Sequence, residues 1–104
     1  MPYYPQTPGI YPYTTATSTG ATVAYVSVTN TTLLAANANR RGGMIYNNAS
    51  TNLQIKLGAN ALATPTVILV PGAYYEIPFG WTGIIDGSWV TGGAGNAWVT
   101  ELTA

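Results

Sequence analysis

The chain has 104 residues, a length that suits one domain with a single modest hydrophobic core. Only 6% of the residues are charged and the formal net charge is zero, so the surface lacks the basic character that nucleic acid requires and favours association with other neutral surfaces. The sequence contains no cysteine and no histidine, which excludes disulfides, imidazole bases and metal sites of the Cys/His type.

The N-terminal segment, residues 1–20, consists mainly of Pro, Tyr, Thr, Ser and Gly and carries no charged side chain. Its four prolines lack amide donors and bias the preceding residues toward extended geometry. We therefore predict an extended or polyproline-like arm over residues 1–20, followed by a β domain over 21–104. Fifteen extended residues reach about 45–50 Å.

Short β segments separated by turn signals follow the arm, a pattern typical of an all-β sandwich or barrel. ATVAYVSVT (21–29) is a strand candidate, and TTLLAAN (31–37) is either a strand or one helical turn. GMIYNN (43–48) predicts a further strand. The sequence gives no long helical pattern.

The middle of the chain gives the clearest strand signals. LQIKLG (53–58) alternates in polarity, so we expect its three aliphatic side chains to face inward and Gln54 and Lys56 to face outward. TVILV (66–70) is apolar on both faces, which predicts a central strand. Pro71-Gly72 predicts a type II turn, because proline fits its first central position and glycine the positive φ of the second.

The last third of the chain continues the β pattern. AYYEIPF (73–79) predicts a strand, and WTGIIDGSWV (81–90) predicts a hairpin with Asp86-Gly87 as its turn. NAWVTEL (96–102) is the closing strand. The total is about seven to eight short antiparallel strands, so we predict a small β-sandwich or barrel whose two sheets pack face to face.

The sequence does not predict an enzyme or a cofactor site. Glu76, Asp86 and Glu101 are the only carboxylate side chains, and a glycosidase needs two of them flanking one bond. The predicted hairpin turn explains Asp86, while Glu76 and Glu101 are expected to be outward-facing acids that balance the basic side chains. Without histidine the usual general base of a nucleophilic triad is missing.

Three tryptophans, Trp81, Trp89 and Trp98, allow two interpretations. Aromatic platforms bind sugar rings in carbohydrate-binding modules, and a small β-sandwich fits that picture. Tryptophans also fill cores and subunit interfaces, where they bury large areas. The second interpretation is the favoured one, and carbohydrate binding stays open as an alternative.

Several short motifs follow one another along the chain in a characteristic order. The segments LLAANANRRGGMIYNNASTNLQIKLG, ILVPGAYYEIPFGWTGIIDGSWV and AWVTEL contain an Asn-x-x-Arg segment, an Ile-x-Asn strand, a Leu-Gly strand end, a Pro-Gly turn and a terminal Thr-Glu. In that order they resemble small β-sandwich structural proteins of tailed bacteriophages, over roughly residues 28–102. With the arm in front, the whole resembles capsid cement (decoration) proteins, including the β-tadpole type of cyanophages.

The resemblance implies a structural virion protein on the capsid surface that binds the major capsid protein and other copies of itself, as a dimer or trimer. The arm lies outside the matched region, but extended segments bind sheet edges and grooves, and tyrosines supply large amphipathic rings. We expect no nucleic acid partner and no membrane span, since no apolar run approaches about 18 residues. A minor head-to-tail component is a further alternative. The predicted partner-binding residues are Tyr3, Tyr4, Ile10, Tyr11, Tyr13, Arg40 and Arg41.

Overall fold

The computed structural model describes residues 16–104, which form eight antiparallel strands in two four-stranded sheets. The predicted all-β sandwich is therefore confirmed, whereas residues 1–15 of the predicted arm lie outside the described residues. The strands are β1 (Thr17–Ala24), β2 (Thr31–Leu34), β3 (Arg40–Ala49), β4 (Leu53–Leu57), β5 (Val67–Leu69), β6 (Tyr74–Ile77), β7 (Ile85–Trp89) and β8 (Gly95–Thr103).

The two sheets differ in the strands they use. Sheet A has the order β1-β8-β3-β6 and sheet B the order β2-β7-β4-β5. Between them lies one hydrophobic core, to which every strand except β1 contributes at least one buried aliphatic or aromatic side chain. The buried members are Leu33, Ile45, Ala49, Leu53, Ile55, Leu69, Ile77, Ile85, Trp89, Ala97 and Val99.

The alternation predicted for β4 is present. Leu53 and Ile55 are fully buried, and Leu57 is half-buried against the same core. Lys56 extends on the opposite face, where its Nζ donates to Thr64 Oγ1 at 2.7 Å. A period of two residues thus directed one face of this strand to the core.

The Pro71-Gly72 turn is also present between β5 and β6. The amide of Ala73 donates to the carbonyl oxygen of Val70 at 3.0 Å, and Gly72 has φ = 86°. A positive φ at the third position of the turn defines type II and favours glycine.

The first strand is displaced from its prediction. β1 ends at Ala24, so residues 25–29 do not continue it, and it begins at Thr17, inside the segment assigned to the arm. After β1, Tyr25 packs against Trp89, with ring centroids 5.5 Å apart, and donates through its hydroxyl to the carbonyl oxygen of Val90 at 2.6 Å. The side chain of Tyr25 thereby ties the loop after β1 to the end of β7.

The prediction that TVILV forms a central strand is wrong. Among residues 16–104, β5 lies at the edge of sheet B and pairs with β4 alone. Its inward side chain Leu69 is buried, whereas Ile68 is 52% and Val70 56% exposed. A strand with apolar side chains on both faces is either buried on both faces or exposes apolar side chains at a sheet edge. β5 exposes them at an edge.

The predicted hairpin at Asp86-Gly87 is also wrong, because both residues lie inside β7, whose five residues are all buried. The Asp86 carboxylate accepts hydrogen bonds from Asn30 Nδ2 at 2.9 Å and Thr32 Oγ1 at 3.4 Å. Gly87 is required by packing, since a Cβ atom there would lie 2.7 Å from Leu33 Cδ1. The aspartate and the glycine are therefore suited to contacts with side chains from a distant part of the chain, and not to a turn.

Candidate interaction surface

The outer face of sheet A carries large apolar side chains where a solvated antiparallel sheet usually presents polar ones. Tyr74 is 61% exposed and Trp98 is 52% exposed, and both point away from the core. We call this surface the aromatic face. It is made of the outward side chains of β3, β6 and β8, namely Met44, Tyr46, Tyr74, Trp98 and Leu102.

Strand register aligns the aromatic side chains in one row across the sheet. Tyr46 on β3 lies opposite Trp98 on β8 and opposite Tyr74 on β6. The rings of Tyr46 and Trp98 are stacked, with centroids 5.1 Å apart and planes 25° from parallel. Cross-strand aromatic pairs of this kind stabilise a sheet and hold both rings in fixed orientations.

Polar side chains border the row without adding much charge. On one side, Asn48 Nδ2 donates to Asn96 Oδ1 at 3.1 Å, in the next register pair. On the other side, Met44 lies between Thr100 and Glu76. Glu76 is exposed and is the charged residue of this face. A rigid aromatic centre with a polar rim has the composition of a protein–protein interface.

Arg40, predicted to bind a partner, is instead part of the interior. Its side chain is 0% exposed, and Nε donates to Glu101 Oε2 at 2.8 Å. Nη1 donates to the carbonyl oxygens of Trp81 at 3.2 Å and Gly83 at 2.8 Å, and Nη2 donates to that of Ala35. The guanidinium therefore joins two loops to β8, and the structure removes Arg40 from the candidate partner surface.

Arg41 differs from its neighbour in that its side chain is exposed. The pairing of β3 with β8 shifts register between Arg40 and Gly42, so Arg41 is the extra residue of an irregularity. Such irregularities redirect side chains and separate adjacent residues onto different surfaces. Of the two predicted arginines, Arg41 is thus the one that a partner could reach.

The three carboxylates lie in different environments. Asp86 is buried beside Asn30 and Thr32, while Glu101 is half-buried against Arg40, so Glu101 does not face outward as expected. Across residues 16–104 no group of three or more His, Cys, Asp or Glu side chains comes together. The same part of the chain contains no helix long and apolar enough to span a membrane.

The three tryptophans occupy three different environments. Trp89 is 1% exposed and donates through Nε1 to Asn47 Oδ1 at 3.2 Å, so it belongs to the core. Trp81 is half-buried, and its Nε1 faces the carbonyl oxygen of Ile84 at 3.3 Å. Only Trp98 presents a large surface to solvent, as part of the aromatic face.

Two asparagines of the short sequence motifs, Asn37 and Asn47, have structural roles. Asn37 Nδ2 donates to Glu101 Oε1 at 3.3 Å, beside the Arg40 ion pair. Asn47 is fully buried, donates to the carbonyl oxygens of Thr51 and Leu69 at 2.9 Å each, and accepts from the amide of Ala49 and from Trp89. The side chains of these two asparagines therefore connect strands and loops within the sandwich.

Sequence reasoning identified Trp98 as one of three alternatives and missed the rest of the aromatic face. The signal was present in β3, β6 and β8, where apolar side chains occupy both sides of the strand. Met44 and Tyr46 alternate with Ile45, and Trp98 alternates with Ala97 and Val99. Apolar residues on both faces of a strand predict either two buried faces or one exposed interaction face.

The fold and this surface define a class of protein: a weakly charged β-sandwich with one exposed apolar sheet face. Comparisons with protein-family models, with curated proteins and with solved structures give no match to this chain. The functional interpretation therefore depends on the residues themselves.

Proposed function

We propose that this chain is a structural virion protein that binds the outer surface of a phage capsid and cements neighbouring major-capsid subunits. The observation that carries the proposal is the aromatic face. Exposed Trp and Tyr side chains at the centre of a polar rim are the residues that contribute most to protein–protein binding energy. The phage-protein resemblance supplies the identity of the partner surface.

The charge distribution supports a protein partner. Of the six charged side chains, Arg40 and Asp86 are buried, and Lys56 and Glu101 are half-buried. Arg41 and Glu76 are the exposed ones. A surface with so little charge neither attracts phosphates nor repels a second neutral surface.

The N-terminal arm has its own role in this proposal. Its apolar and aromatic side chains bind a neighbouring capsid subunit while the sandwich binds the first, so that each copy bridges two capsomers. Many bridging copies then strengthen the shell through multivalency. The arm residues involved are Tyr3, Tyr4, Ile10, Tyr11 and Tyr13, which lie outside the described residues.

Carbohydrate binding is the second candidate, and exposed Trp98 is the observation that favours it. Ring faces that stack on sugars must be open to solvent, whereas Trp98 and Tyr46 partly cover each other at a centroid distance of 5.1 Å. Tyr74, 61% exposed, remains as an open ring beside them. A glycan array with Trp98 fluorescence as the readout separates this candidate from the first.

A minor head-to-tail component with the same sandwich is distinguished by copy number. A cement protein is present in hundreds of copies per particle, whereas a head-to-tail component is present in about a dozen or fewer, because the first follows the whole shell and the second one vertex. Quantitative mass spectrometry of purified particles measures this directly.

The binding test uses capsid shells that lack this chain and the full-length protein. We expect Trp98→Thr to raise the Kd for shells at least about tenfold, because central Trp anchors of interfaces contribute about 2 kcal/mol or more. Ile68→Thr is the matched control, because Ile68 is also 52% exposed but lies on β5 of the other sheet.

Deletion of residues 1–15 is the second arm of this test, and it leaves all eight described strands in the chain. We expect it to lower the occupancy of shells, because the bridge to the neighbouring capsomer is lost. Undiminished occupancy with both Trp98→Thr and the deletion would refute the proposal.

A further inference from the structure

β1 is an edge strand with an unusual degree of exposure. It pairs with β8 over eight consecutive positions, from Thr17 opposite Thr103 to Ala24 opposite Asn96, without a register shift. On its other side no strand among residues 16–104 pairs with it. Half of its backbone N–H and C=O groups therefore have no strand partner among residues 16–104, along an edge of regular register.

The residues of β1 themselves lack the features that usually prevent pairing between sheets. Natural edge strands carry lysine or other charges, proline, or a bulge that turns the edge away. The sequence of β1, TSTGATVA, contains none of these. Its side chains are small, so they do not obstruct the approach of another strand.

β1 also extends beyond the cover that sheet B provides. Ala21 and Val23 pair with the buried residues Val99 and Ala97, so they belong to the inner face of sheet A. Yet Ala21 is exposed and Val23 only half-buried. β1 is therefore held by backbone hydrogen bonds to one neighbour with little burial, and a second neighbour would contribute more to its stability than it would for a buried strand.

We propose that β1 pairs edge to edge and antiparallel with β1 of a second copy, which joins the two A sheets into one continuous eight-stranded sheet. The inference rests on the proposed function, in which copies associate on the shell, and assigns that association to a particular strand. The second copy fits this edge because the strand is uncharged and the net charge of the chain is zero. Two such edges meet without repulsion.

Strand geometry restricts how the two copies meet. Directly opposed residues in one sheet point to the same face, and along β1 even-numbered and odd-numbered residues point to opposite faces. In a pair of β1 strands, an even-numbered residue therefore lies opposite an even-numbered one, and an odd-numbered residue opposite an odd-numbered one. A two-fold axis perpendicular to the sheet then passes through Gly20 opposite Gly20 or Ala21 opposite Ala21. Both centres place small side chains at the closest approach.

The experiment measures self-association of the full-length chain by sedimentation equilibrium. The test variants are Gly20→Lys and Ala21→Lys, which put a charge at the middle of the edge on the outer and inner face in turn. A Cβ atom at Gly20 meets nothing within 4 Å, and the backbone there is not in the left-handed region, so the monomer accommodates the lysine. Like charges directly opposed across two strands are destabilising.

The matched control is Gly42→Lys, which adds the same charge on β3. A Cβ atom there also meets nothing within 4 Å, but β3 lies between β8 and β6 in the interior of sheet A. We expect both edge variants to raise the Kd of self-association at least about tenfold and Gly42→Lys to leave it unchanged. Backbone amides of residues 17–24 should also gain protection from hydrogen exchange as the concentration of the wild-type chain rises.

A chain that stays monomeric up to about 1 mM, or association that both edge variants leave intact, would overturn the inference. Equal weakening by Gly42→Lys would also overturn it, because the contact would then lie on the outer face.

Binding of each variant to capsid shells is measured separately. A variant that no longer self-associates but still binds shells supports the assignment of β1 and leaves the proposed function standing. If instead the wild-type chain is monomeric and the edge variants lose shell binding, the strand that pairs with β1 belongs to the capsid.

Discussion

β7 and β1 are both antiparallel strands of this sandwich, yet they represent opposite ways of using a strand. All five residues of β7 are buried, and it has β2 and β4 as neighbours. Seven of the eight residues of β1 are exposed, and β8 is the single strand that pairs with it in the described part of the chain. The outer face of β7 is buried as well, since Asp86 and Ser88 are each 2% exposed. Asn30 donates to Asp86 at 2.9 Å and accepts from the amide of Ala61 at 2.8 Å.

This difference indicates that folding and association depend on separate parts of the chain. The energy of folding comes from the core around β7, where apolar area is removed from water and polar groups are paired. β1 and the aromatic face contribute little burial and leave backbone groups and rings available. Substitutions in the first region should therefore change stability, and substitutions in the second should change binding.

The largest contrast should come from two tryptophans. Trp89→Ala removes a side chain that is 1% exposed, and we expect a loss of about 3–5 kcal/mol in the free energy of unfolding, as for other buried aromatic residues. Trp98→Ala removes a 52% exposed ring that stacks on Tyr46, and the loss should be about 0.5–1.5 kcal/mol.

Urea unfolding followed by circular dichroism measures both values, with the m-value as a check on two-state behaviour. Similar losses for the two variants would show that the aromatic face contributes to folding as much as the core does. That result would contradict the separation of the two regions.

The second contrast uses the adjacent arginines. Arg40→Ala leaves Glu101, whose side chain is 16% exposed, without its cation and removes the donors of three loop carbonyls. We expect a loss of about 3 kcal/mol, at the lower end of the range for broken buried ion pairs because Glu101 keeps some contact with water. Arg41→Ala, in an exposed side chain, should change stability by less than about 0.5 kcal/mol.

Thermal unfolding of the two arginine variants at matched pH and salt tests this. If Arg41→Ala destabilised the chain as much as Arg40→Ala, the ion pair with Glu101 would not be the cause. Reduced binding of Arg41→Ala to capsid shells, with stability unchanged, would support its predicted partner role.

Local patterns predicted those elements whose structure is determined locally. The alternation in β4 and the Pro71-Gly72 turn were correct because side-chain direction and backbone φ depend on neighbouring residues. Asp86-Gly87 was misassigned because its structure depends on Asn30 and Leu33, more than fifty residues away. Sequence spacing does not reveal a partner at such a distance.

The candidate site was predictable only in part for a similar reason. Arg40 and Arg41 look equivalent in sequence, and the register shift against β8 alone separates the buried residue from the exposed one. The aromatic face combines β3, β6 and β8, and whether an apolar residue on their outer side is exposed depends on whether another layer covers that side. Periodicity identifies that such a residue lies on one side of a strand, but not what lies above it.

Two glycines give the smallest but most direct contrast between β7 and β1. Gly87→Ala places a Cβ atom 2.7 Å from Leu33 Cδ1, and since the core must shift to admit it, we expect a loss of about 1–3 kcal/mol. Gly20→Ala meets nothing within 4 Å and removes the conformational freedom that glycine has in the unfolded chain, so we expect a gain of about 0.5–1 kcal/mol. Urea midpoints for the two variants, measured under conditions in which the chain is monomeric, should move in opposite directions. Because alanine adds no charge at the edge, Gly20→Ala should also retain the self-association that Gly20→Lys weakens. Loss of association with alanine would mean that close backbone approach at Gly20, and not charge, limits the contact.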